Sequence, residues 1–248
     1  MRPIHHGRRR GLKKRGIRIS GCRDLWIPED STSGDTINSA TAQIRFLKSH
    51  WNDIVHESSA IRATLELLAW EPESVVDAMA GCGFSAAQFA SLWPKAKLTL
   101  NDFDEQCANV LRDNFPECDV YQEDVRIWDM PRVDLCFIDF NNFTLKRLGD
   151  WKDYLKVASS RCRWLIFADA ASYGFHMGNL KVYGVNSPED YYRKLNGALY
   201  KTTKKRIVAV SIFGNAALVF CRRSPKVKIA FVDYGVPLAI RWIKGFGL

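Results

Sequence analysis

Metal-ligand spacings are missing from this chain. Its seven cysteines stand at positions 22, 82, 107, 118, 136, 162 and 221, with no C-x-x-C among them and no histidines placed to complete a site. A zinc ribbon or finger is therefore excluded. An odd number of cysteines inside apolar runs reads as reduced, buried thiols in a reducing intracellular compartment, not as a disulfide framework. No apolar run approaches the roughly 20 residues of a membrane span. The first residues lack the apolar core of a secretory signal. A mitochondrial transit signal is compatible with their basicity. Their low Ser and Leu content and Gly/Arg texture fit a nucleic-acid-binding arm better. There is no internal repeat.

Acids are also missing from one place. Residues 1–23 hold nine Lys/Arg and no Asp or Glu, and residues 221–248 hold six Lys/Arg against Asp233 alone. Between them lie 21 of the 36 basic and 26 of the 27 acidic residues, so the body is net −5 while the whole chain is +9. All the excess positive charge sits at the two ends. Such an arm is expected to be disordered alone and to seek a polyanion, contributing phosphate contacts without sequence readout. The residues concerned are Arg8, Arg9, Arg10, Lys13, Lys14, Arg15 and Arg18.

What is present is a series of short apolar strands that end in acids. Val75-Val76-Asp77 runs into Ala78-Met79-Ala80-Gly81-Cys82-Gly83-Phe84, a strand, a glycine turn and a small-residue helix start. Doubly wound α/β folds build a nucleotide-sized crevice in this way. The acid suits a cationic or hydroxyl-bearing ligand, not a phosphate. Lys97 to Asp102 is a second such run, and its acid can accept both hydroxyls of a ribose. Val120 to Val125 is a third, where Asp124 can accept from an exocyclic adenine amine. Val133 to Asp139 is nearly all apolar, as a strand buried on both faces should be. It continues into Phe140-Asn141-Asn142-Phe143. Arg163–Asp169 is the fifth strand, and 206–213 with 216–221 form a final pair joined by the hairpin signal Gly214-Asn215.

This order resembles class I S-adenosylmethionine-dependent methyltransferases over roughly residues 74–223. The resemblance implies a Rossmann-like α/β fold, with a doubly wound, mostly parallel seven-stranded sheet ending in an antiparallel hairpin. It implies S-adenosylmethionine as cofactor. Asp77, Ala78, Met79, Gly81, Gly83 and Phe84 would surround its methionine half. Asp102 and Phe103 would lie at its ribose, and Asp124 and Val125 at its adenine. Asp139, Asn142 and Phe143 would stand where the methyl group leaves, the first two holding an acceptor amine and the ring stacking on its base. Met79 occupies the first glycine of the commonest motif, a variant similar to that of enzymes methylating base nitrogens in RNA and DNA. The segments 100–104 and 138–143 look like motifs of tRNA dimethylguanosine methyltransferases. Asn141 and Asn142 depart from that pattern, standing where it has an acid and a proline. The D-P-P-Y motif, the cysteine context of cytosine-C5 enzymes and the K-D-K-E tetrad of ribose methyltransferases are absent.

Four regions follow: the basic arm 1–23, a helical cover 24–73, the methyltransferase-like domain 74–223 and a basic extension 224–248. Within them, 24–40 is rich in turn residues and 41–70 has helical periodicity. Ser187-Pro188 opens a helix, and 226–234 alternates like an edge strand. The expected function is methyl transfer to nucleic acid, RNA ahead of DNA, at a base nitrogen. The rival is a non-catalytic member of the fold that binds RNA, a ribonucleoprotein or a viral assembly through its basic ends.

Overall fold

The computed structural model describes residues 16–19, 25–28, 71–139, 145–169, 180–213, 216–224 and 229–233. An antiparallel ribbon comes first, β1 (Gly16–Ile19) paired with β2 (Leu25–Pro28), Ile17 opposite Ile27. This corrects the expectation of a structureless stretch at that point. Ile17 and Ile19 alternate with Arg18 there, a strand-forming pattern. The ribbon lies beside α2 (Glu105–Asn114). The helices expected within 41–70 lie outside the described residues.

The main sheet holds β3 (Ser74–Asp77), β4 (Lys97–Asn101), β5 (Asp119–Tyr121), β6 (Val133–Ile138), β7 (Cys162–Asp169), β8 (Arg206–Phe213), β9 (Ala216–Arg222) and β10 (Ala230–Asp233). Their order is β10-β8-β9-β7-β6-β3-β4-β5. Neighbours from β5 through β7 are parallel, β9 is antiparallel to both β7 and β8, and β10 is parallel to β8. The seven expected strands and the antiparallel pair are present. The C-terminal extension adds an eighth strand at the edge. The third strand is shorter than the sequence pattern indicates and stops at Tyr121, three residues before Asp124.

Helices cover both faces. α1 (Phe84–Leu92) and α2 pack on the side chains of Val75, Leu98, Leu100, Leu135 and Phe137. α3 (Lys152–Arg161) and α4 (Pro188–Thr203) pack on Val76, Cys136, Ile138, Leu165 and Phe167. Successive residues of a strand point to opposite faces, so unbroken apolar runs are what two covered faces require. Each fully buried Phe or Leu contributes about 1.5–3 kcal/mol. That outweighs an exposed ion pair such as Lys97–Asp119, worth about 0–1 kcal/mol. The helix starts follow local chemistry. Asp104 caps α2 by accepting from the Gln106 and Cys107 N–H groups, and Ser187 caps α4 by accepting from Asp190 N–H. No disulfide joins the six described cysteines. Among the described residues, no helix is long and apolar enough to cross a membrane.

Candidate active site

The chain runs β3-β4-β5 to one side of β3 and then returns to lay β6 on its other side. The crevice at that reversal, outside the carboxyl ends of the strands, is where such sheets bind ligands. In register, Asp77 lies level with Leu100 of β4 and Phe137 of β6. Asp102 and Asp139 each follow two residues beyond those partners. Three carboxylates therefore converge on the crevice.

Their environments differ. Asp77 is fully buried. Ser85 Oγ donates to its Oδ2, while Oδ1 is buried without a hydrogen-bond partner among the described residues. Desolvation by burial, reinforced by repulsion from Asp139 and Asp102, raises its pKa to about 8 against the Ser85 hydrogen bond. Asp102 accepts from Gly81 N–H at 2.8 Å through Oδ2 and from Asp104 N–H at 2.9 Å through Oδ1. Desolvation raises its pKa as well. Each oxygen keeps a further lone pair for a ligand hydroxyl. Asp139 is exposed at the rim of the crevice. Among the described residues no cluster of His, Cys, Asp and Glu could hold a metal.

Asp124 stands apart. Arg126 engages both its oxygens through Nε and Nη2, and Arg126 N–H adds a third donor group at 2.9 Å. The Arg126 hydrogen bonds hold the Asp124 carboxyl below its ordinary range. An adenine amine can reach this carboxylate only if the exposed Arg126 swings away.

The glycine turn also differs from its simplest reading. Gly81 N–H is given to Asp102 and Gly83 N–H to Ala80 O at 2.9 Å, so both amides are committed inside the protein. Gly83 has φ +94°, and a Cβ there would come within 2.5 Å of the Phe115 ring. That glycine is required by backbone conformation and packing. Ala78 is buried with its N–H on Phe137 O and its carbonyl on Asn101, and Val125 is buried in the core. Met79 and Phe84 are half-buried on opposite apolar clusters. Phe103 is 74% exposed beside Asp102, and Ile127, which the sequence reading passed over, is 82% exposed. Asn142, Phe143 and, of the seven basic arm residues named above, all but Arg18 lie outside the described residues. Only the backbone of Arg18, in β1, is described.

Two polar residues carry contacts that the sequence pattern does not assign. Ser85 looks like an ordinary small residue at a helix start. Asn101 ends the apolar run Leu98-Thr99-Leu100, and a buried amide must find partners. That was the available signal.

No protein-family model matches the sequence, and no curated protein does. Solved structures do match. Human N-acetylserotonin methyltransferase in complex with S-adenosylmethionine superposes with a TM-score of 0.58 at 14% identity, over 80% of this chain and 60% of that one. Mitomycin 7-O-methyltransferase gives 0.55 at 16%, over 76% and 60%. A Pyrococcus horikoshii protein provisionally assigned as an RNA methyltransferase gives 0.51 at 17%, over 69% and 84%. The chain thus spans 60% of the length of the first two. At these identities the likeness is one of fold. The chain has the Rossmann-like fold of S-adenosylmethionine-dependent methyltransferases, and neighbours sharing that fold act on unlike substrates.

Proposed function

We propose that this protein is an S-adenosylmethionine-dependent methyltransferase acting on nucleic acid, at a base nitrogen of RNA. One observation carries the cofactor reading. At the reversal point of a methyltransferase fold, a fully buried aspartate has one carboxyl oxygen without a hydrogen-bond partner among the described residues, with two further carboxylates converging on it. A buried acid of that kind is costly alone and is relieved by a cation. S-adenosylmethionine carries an ammonium and a sulfonium, and when bound it supplies an electrophilic methyl group. The donor set therefore fits.

Asp77 would take the ammonium and lose its proton as it does so. Asp102 would accept the ribose hydroxyls through its remaining lone pairs. The exposed Phe103 ring offers a flat apolar face for adenine, with the Val125 backbone and Asp124 at its edge. Asp139, with Asn142 and Phe143, would hold the acceptor amine and stack on its base. Because the leaving group is already activated, the protein's main contribution is alignment.

The RNA reading rests on the arm. Nine positive charges without an acid precede a body of net −5. Deleting residues 1–15 removes seven of them and spares β1. This truncation is expected to weaken RNA binding and flatten its salt dependence, since each neutralised phosphate of a single strand contributes a slope of about −0.7. The decisive experiment offers labelled S-adenosylmethionine with RNA, DNA or protein pools to the full chain. Label entering RNA supports the reading, and label entering protein alone overturns its substrate half. Asn141 and Asn142, which depart from the nitrogen-methylating motif, favour a second reading. On it the fold is retained for RNA binding only. Cofactor binding with no acceptor in any pool would select that reading.

A further inference from the structure

We propose that Asn101 is the positioning residue of the cofactor site: one buried amide that fixes the spacing of the three acid-bearing loops. The inference rests on the cofactor reading above and adds a residue to it.

Asn101 is the last residue of β4 and is fully buried. Its Nδ2 donates to Ala78 O at 2.9 Å and to Glu123 O at 3.0 Å, and its Oδ1 accepts from Glu123 N–H at 3.0 Å. Its main-chain carbonyl accepts from Ala80 N–H at 2.9 Å. Ala78 follows Asp77, Asn101 precedes Asp102, and Glu123 precedes Asp124. Each acid named for the cofactor is thus one residue away from a group on this amide.

The strand ladders do not reach these loops. The last register pairs are Asp77 with Leu100 and Asn101 with Tyr121. Past them the backbone bonds across β4 are Ala80 N–H to Asn101 O at 2.9 Å and Asp102 N–H to Tyr121 O at 3.3 Å, and the side-chain amide adds bonds on both sides of β4. Few side chains could replace it. An aspartate of the same shape would face two carbonyl oxygens with acceptors. A leucine would leave the buried Ala78 carbonyl and the part-buried Glu123 N–H and carbonyl without this partner, and a serine is too short and donates once.

A purely structural amide would cost stability and nothing else, so the control is a variant that loses stability far from the site. Asp134, at the opposite end of β6, accepts from Glu73 N–H, Ser74 N–H and Ser74 Oγ, and Asp134→Ala serves that purpose. Full-length wild type, Asn101→Ser and Asp134→Ala are compared well below their melting temperatures. S-adenosylhomocysteine affinity is read by calorimetry, and amide hydrogen exchange is read without ligand. Asn101→Ser is expected to lose at least tenfold in affinity, and Asp134→Ala to stay within twofold of wild type. In Asn101→Ser, amides of 78–83 and 123–128 should exchange at least tenfold faster together, with α4 unchanged.

Equal affinity in the two variants, or faster exchange in only one of the two loops, overturns the proposal. If Asn101→Ser does not fold, Asn101→Gln keeps the amide on a longer arm. It should fold and still lose at least threefold in affinity, and wild-type affinity there overturns the proposal. Failure of the wild-type chain to bind S-adenosylhomocysteine overturns the cofactor reading instead, and the exchange measurement then decides the clamp by itself.

Discussion

The two ends of the main sheet treat the same residue types in opposite ways. At the amino-terminal end, the Asp134 carboxylate and the Lys205 ammonium are both matched. Asp134 buckles β6 to the start of β3. Lys205, almost completely buried, donates from Nζ to the carbonyls of Cys162 at 2.7 Å and Arg163 at 3.1 Å, and desolvation lowers its pKa. At the carboxyl-terminal end, Asp77 keeps an unsatisfied oxygen and like charges lie close together. A fold gains nothing from leaving a carboxylate in that state, and a cation-binding site requires it. The contrast separates residues whose contacts hold the sheet from one whose carboxyl is left partly unpartnered.

Four substitutions or conditions would break or sharpen that contrast. The largest expected effect is on folding. Gly83→Ala forces a side chain into left-handed backbone, about 1–2 kcal/mol, and against the Phe115 ring, about 1–3 kcal/mol more. Chemical denaturation should show this loss, and wild-type stability would mean the turn relaxes without Phe115 noticing.

Next is Asp77→Asn, which keeps the shape and removes the charge. S-adenosylmethionine affinity should fall by about 1.5–3 kcal/mol, the worth of a charge-assisted hydrogen bond. Unchanged affinity by calorimetry would remove Asp77 from the site.

The same group sets a pH dependence. Its carboxyl titrates at about 8 in the folded chain against 3.8 in an unfolded one. The folded state therefore binds the extra proton between those values. This contribution to stability is full below about pH 4 and is lost as pH rises towards 8. Thermal melts from pH 5 to 8 should decline in wild type and flatten in Asp77→Asn. Parallel curves would show that Asp77 is already ionised in the folded protein.

The smallest effect is expected from Arg126→Ala. Exposed ion pairs are weak, so freeing Asp124 should tighten cofactor binding only about two- to threefold. Weaker binding instead would make Arg126 itself a ligand contact.

Much of this was legible before any coordinates. Apolar runs ending in acids announced strands covered on both faces, because only side-chain burial on both sides makes such runs necessary. The order of acids announced the crevice, because strand ends in a parallel sheet share one edge. The serine and proline before α4 announced its start through local hydrogen bonding. Where the chemistry was local, the reading held. It slipped at the third strand, where Glu123 and Asp124 look like a strand end but belong to the loop. It slipped also at Arg18, inside a basic segment that forms a ribbon.

Hydrophobic period and residue type were enough to place seven strands along the chain and Asp77, Asp102 and Asp139 at their ends; the order of the strands in the sheet came from the fold. Only the tertiary structure decided what each polar group faces. It left Asp77 without a partner for Oδ1, paired Asp124 with Arg126, committed the turn amides to Asp102 and Ala80, and brought Asn101 between Ala78 and Glu123. Arg126 with Asp124 and Gly83 with Ala80 are short-range turn contacts; the others join residues more than twenty positions apart. No local pattern encodes them, because a hydrogen bond depends on where the fold places both of its partners.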